Sequence, residues 1–120
     1  MNIETIREFR LKEDAYLAAV TVYRDYLRAT PVEIPSEEFD HVIKMTIETE
    51  AIKRQRDFLS SQIRAWLVDC IECCECRYAL QLIIFRHMPF KTACYVASAN
   101  KPPEEIRDTI LTIIRALQIS

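Results

Sequence analysis

Glycine is absent from all 120 residues. Hairpin turns, bulges and phosphate-cradling loops draw on a residue without a Cβ. Rossmann-type and P-loop nucleotide sites are therefore effectively excluded, an all-α fold is favoured over sandwiches and barrels, and helices must end on Asn, Pro or short 3₁₀ turns. No run of 18 apolar residues occurs, which argues against a transmembrane helix. The start, MNIETIREFR, is charged and amphipathic where a secretory leader has an apolar centre. A cytoplasmic location is expected, or the interior of the host cell if the gene is viral. Net charge is only −2, so the bulk balance proposes neither nucleic acid nor an anionic membrane.

What is present reads as an ordinary globular balance, with half the residues apolar and 28% charged. At this length a single domain, residues 1–120, is expected. The Ile-rich, Arg-over-Lys composition is compatible with a hyperthermophile, or with a virus or mobile element of one. Charge is unevenly placed. Residues 1–60 hold more acids than bases, whereas Arg77 to Lys101 holds four bases and no acid.

The run Asp57 to Met88 repeats apolar residues every three to five positions: Phe58, Ile63, Trp66/Leu67, Cys70/Ile71, Cys74, Tyr78, Leu82 and Phe85. That period is helical, and we read an all-α, single-domain bundle of four to five helices around a long central helix, about 61–88. Asn2 to Ala29 forms one helix or two, closed by Thr30-Pro31. Ser36 caps the next, with Phe39, Val42/Ile43, Ile47, Ala51 and Phe58 as its buried stripe. A single helix from Ser36 to Met88 would run on the order of 80 Å, too long for such a domain, so a break is expected at Ser60-Ser61. Pro89 opens a short helix to Ser98 with Phe90, Ala93/Cys94 and Ala97 inward. Asn100 takes the left-handed cap, and Pro103-Glu104-Glu105 opens a last helix with Ile106, Ile110, Ile113/Ile114 and Leu117 inward. That last stripe reads as core, with a dimer seam or docking face as the alternative.

Little of this is chemistry. Cys70, Cys73, Cys74 and Cys76, with distant Cys94, are first of all small core thiols. The competing reading is a disulfide from Cys94 to one of the other four, stapling two helices. The C-x-x-C pairs overlap as Cys70/Cys73 and Cys73/Cys76, with no second pair at ribbon or finger spacing, so no metal site or cofactor is expected. Neither His41 nor His87 has a reason to face a cysteine, paired glutamates read as helix starts or solvated faces, and Glu-x-x-His motifs on facing helices are absent. No enzyme is expected.

The reading that remains is a small non-enzymatic protein that binds another macromolecule, as a regulator, inhibitor or assembly subunit. Another protein is the expected partner, with self-association into a homodimer allowed. Its expected contact is the basic, aromatic-bearing corner Arg77, Arg86, His87, Met88, Phe90 and Lys91. The alternative is a nucleic-acid regulator using Lys44, Lys53, Arg54, Arg56 and Arg64. A thiol or metal sensor stands third.

Overall fold

The first helix starts where an Asx cap is available. Asn2 Oδ1 accepts from both the amide and the hydroxyl of Thr5 at 3.0 Å, satisfying one of the donors a helix start leaves open. In the computed structural model, which describes residues 1–30, 33 and 35–119 (for Ile119 the backbone only), five helices follow. They are α1 (Ile3–Ala29), α2 (Ser36–Cys70), α3 (Cys74–Arg86), α4 (Phe90–Val96) and α5 (Pro103–Ile119). The fold is all-α, and no strand occurs among the described residues. The expected stop at Pro31 lies outside them. α2 opens on Pro35, whose carbonyl accepts from Glu38 and Phe39, so Ser36 is its first helical residue and not its cap.

The chain divides into two units, Glu8–Ser60 and Met1–Arg7 with Ser61–Ser120. In the first, α1 and α2 run antiparallel as a helical hairpin. The Tyr26 hydroxyl donates to Glu38, and its ring stands edge-on to His41 with centroids 4.9 Å apart. The Thr46 hydroxyl donates to that of Tyr23 at 3.1 Å, and the Arg56 guanidinium lies 4.3 Å over the Tyr16 ring. Two helices can cover only one stripe of each other. The contact stripes, Tyr16, Ala19, Tyr23 and Tyr26 against Val42, Met45, Thr49 and Ile52, are half-buried. No described residue from Arg10 to Phe58 is buried. The stripe expected to be core is therefore corrected: Phe39, Ile43, Ile47 and Phe58 are 41–65% exposed, because α1 lies against a different face of α2.

The second unit has an interior. α3, α4 and α5 pack on one another, and Ile63, Leu67, Ile106 and Ile110 are wholly removed from solvent. Each such side chain contributes about 1.5–3 kcal/mol over leaving it exposed. Ile71 and Leu82 are also buried, and Trp66 is half-buried. Pro103 begins α5 as its ring predicts, with the Pro102 carbonyl receiving the Glu105 and Ile106 amides.

The long central helix at 61–88 is not formed. α2 passes through Ser60-Ser61 without a break, and the interruption falls at Ile71–Cys73. Side-chain chemistry holds it there. The Arg77 Nε donates to the carbonyls of Leu67 and Ile71 at 3.1 Å, and Nη2 donates to Ile71 at 2.6 Å, closing the open end of α2. Cys73, extended at φ −69° and ψ 114°, offers its sulfur to the Cys76 amide at 3.3 Å and so caps α3. The left-handed position is likewise elsewhere than expected. His87, not Asn100, has positive φ (53°), and its amide and that of Met88 both donate to Leu82.

Candidate functional site

The expected partner corner is redistributed. Arg64 on α2 and Tyr78, Gln81, Leu82, Phe85 and Arg86 on α3 enclose, with Met88, a cavity of about 640 Å³. The Arg64 guanidinium sits 4.1 Å above the centre of the Phe85 ring, a cation–π contact that fixes one wall. No carboxylate lines this cavity. Arg86 and Met88 belong to it, while Phe90 and Lys91 line a separate cavity of about 270 Å³ with Cys94, Tyr95, Pro103, Glu104 and Arg107. Arg77 faces neither; its guanidinium closes α2. His87 forms the exposed cap of α3.

The alternative basic set is divided as well. Lys44, Lys53, Arg54 and Arg56 lie in the hairpin unit, and Arg64 lies in the other. Arg56 is already engaged, by Tyr16 and by two hydrogen bonds of 2.8 and 3.0 Å to Asp57. Half-buried Lys53 leaves Lys44 and Arg54 as the exposed cations of that face.

All five cysteines are free thiols, so the disulfide of the alternative reading, from Cys94 to Cys70, Cys73, Cys74 or Cys76, is not formed. Cys94 is buried in α4, and burial pushes its thiol up. Cys70 and Cys74 are exposed on either side of the break. Among the described residues no group of three or more His, Cys, Asp or Glu is placed to hold a metal ion.

At the start of α3 the thiols acquire partners. The Cys73 sulfur receives the Cys76 amide and, at 3.6 Å, the Lys101 ammonium, and its thiol donates to Glu75 Oε2 at 3.5 Å. Cys76 is fully buried behind it, and desolvation together with the Cys73 sulfur pushes the Cys76 thiol up to about 12. The Cys73 sulfur in turn holds the Lys101 ammonium above its ordinary range, and Glu75 is held below the usual carboxylate range chiefly by its own backbone N–H. The C-x-x-C spacing made the two sulfurs findable. Lys101 was not, because it reaches Cys73 from 28 residues away, across the turn before α5.

A third feature is a groove along the hairpin, about 330 Å³, floored by Ala18, Ala19 and Val22 of α1 and by Met45, Thr49 and Ile52 of α2. Small side chains on α1 open it. No family model, no curated protein and no solved structure matches the chain.

Proposed function

We propose that the chain is a non-enzymatic assembly protein whose hairpin, residues 8–60, packs against the same hairpin of a second copy. The observation that carries this is the lack of any buried residue among those described from Arg10 to Phe58, in a segment where Leu11 is 69% and Val22 61% exposed. Apolar surface on that scale marks an association face. The spacing of α1 favours a copy of itself. Leu11, Ala15, Ala18, Val22, Asp25 and Ala29 follow one another at 4, 3, 4, 3 and 4 residues, the seam of a two-stranded coil, and all six are exposed. Antiparallel pairing of two such seams sets Leu11 opposite Ala29 and Ala18 opposite Val22. It also brings Asp14 beside Arg28 of the second copy, twice by symmetry. The alanines allow close approach, and two hairpins together make a four-helix bundle. Light scattering during gel filtration tests it: a dimer is expected at micromolar concentration, and Val22→Glu should give a monomer with unchanged helical content. Exchanging the charges as Asp14→Arg with Arg28→Asp should restore the dimer that either change alone weakens. A wild-type chain that stays monomeric rejects the reading.

A second reading rests on Arg64 and Arg86, which flank a cavity of mixed polar and apolar lining with no acid in it. An acidic segment of another protein, carrying one aromatic or aliphatic side chain for the floor at Leu82 and Met88, is its fitting occupant. Selection from a displayed library of acidic peptides tests it. Binders lost on Arg64→Glu with Arg86→Glu support it, and binders indifferent to that change reject it. Single-stranded DNA binding that falls steeply with salt would instead favour nucleic acid.

A further inference from the structure

We propose that Cys73 and Cys76 form a redox-active dithiol that exchanges with low-molecular-weight disulfides, Cys73 attacking and Cys76 resolving. The site involves none of the hairpin residues, so it stands or falls separately from the association reading.

The division of labour follows from position. Cys73 is half-buried, lies outside the helix and is met by an ammonium and an amide donor, while Cys76 is shut away in the first turn of α3. Glu75 Oε2, 3.5 Å from the Cys73 sulfur, is in place to accept its proton. Lys101 and the amide at the start of α3 then stabilise the thiolate. Cysteines i and i+3 within a helix seldom meet disulfide geometry. Here the first is an extended cap residue outside the helix, so the pair is not held to the in-helix i,i+3 geometry. The Cys76 backbone amide lies 3.3 Å from the Cys73 sulfur, which places the two residues side by side. Cys70 and Cys74 are the exposed thiols of the cluster and serve as its internal comparison.

The chemistry balances with a disulfide RSSR as the oxidant. Cys73 gives its proton to Glu75 and thence to water, and its thiolate attacks one sulfur of RSSR. The S–S bond breaks, and RS⁻ leaves and is protonated to RSH. The protein then carries a Cys73–S–S–R mixed disulfide. Cys76 next loses its proton to solvent and attacks the Cys73 sulfur, expelling the second RS⁻, which leaves as RSH. The sum is dithiol plus RSSR giving a Cys73–Cys76 disulfide and two RSH, a two-electron oxidation of the protein. The high proton affinity of Cys76 keeps it from competing for the first attack.

The test uses the full chain, reduced and desalted, with oxidised glutathione as the probe and intact-mass and peptide mass spectrometry as readouts. The wild type should lose two hydrogens and yield a peptide linked through Cys73 and Cys76. Cys76→Ala should instead stop one glutathione heavier, with the adduct on Cys73. Lys101→Met, a substitution outside the core, should slow the Cys73 adduct about tenfold in the Cys76→Ala background at unchanged melting temperature. Adducts chiefly on Cys70 or Cys74 with Cys73 untouched would overturn the proposal. So would a Cys76→Ala chain that takes up no more glutathione than wild type. Should Cys76→Ala unfold, the linked peptide in the wild type and a slower formation of that peptide in the single variant Lys101→Met decide alone.

Discussion

Arg77 donates to Ile71 through two nitrogens, at 2.6 and 3.1 Å, and thereby holds the end of α2 against the start of α3. The contact replaces a missing glycine cap with a charged one. Arg77→Met keeps the aliphatic stem and removes the donors, leaving the Leu67 and Ile71 carbonyls short of partners. We expect a loss of about 1–3 kcal/mol in urea unfolding. A change below about 0.5 kcal/mol would show that water serves the carbonyls equally well.

Burial separates the two units by mutational cost. Ile106→Ala, at a fully enclosed site, should lower stability by about 2–5 kcal/mol. Ile47→Ser, where the side chain is 63% exposed, should stay within about 0.5 kcal/mol when measured on dilute protein. Comparable losses at both positions in dilute solution would mean Ile47 has an intramolecular cover.

His87 carries the only positive φ among the described residues. An L-residue with a Cβ is disfavoured there by roughly 1–2 kcal/mol, so His87→Gly should raise the melting temperature and His87→Val should lower it. The reverse order would show that the imidazole is worth more than the backbone relief.

The Cys76 thiol has a folded-state pKa raised from 9.0 to about 12, first by burial and then by Cys73, with Thr109 and Lys101 opposing. The folded chain holds this proton more tightly than the unfolded one. Its contribution to stability is therefore complete below pH 9 and is lost as pH rises toward 12. Urea unfolding followed from pH 8 to 11 should show a decline that is shallower in Cys76→Ala. Parallel curves for the two proteins would remove Cys76 from the alkaline transition.

Two helix starts were legible from proline, since Pro103 opens α5 with Glu104 and Glu105 in its first turn and Pro89 stands directly before α4. The break was misplaced for a comparable reason. Serine is an ordinary cap and cysteine is not, so Ser60-Ser61 outranked Cys73, whose sulfur does the capping. Apolar period identified the Phe39–Ile43–Ile47 stripe as a stripe, but period says which face a helix could bury and not whether a neighbour reaches it. The same limit scattered the basic corner. Arg64 joins Arg86 only once α2 lies beside α3, and Arg77 turns toward carbonyls that only a helix end exposes.

A segment of some fifty residues whose described side chains are nowhere buried cannot set its own persistence. On the association reading, amide exchange and protease resistance between Arg10 and Phe58 become functions of how much protein is in the tube, while those of Ile63, Ile106 and Ile110 do not. Dilution alone then loosens one part of the polypeptide and leaves the other intact.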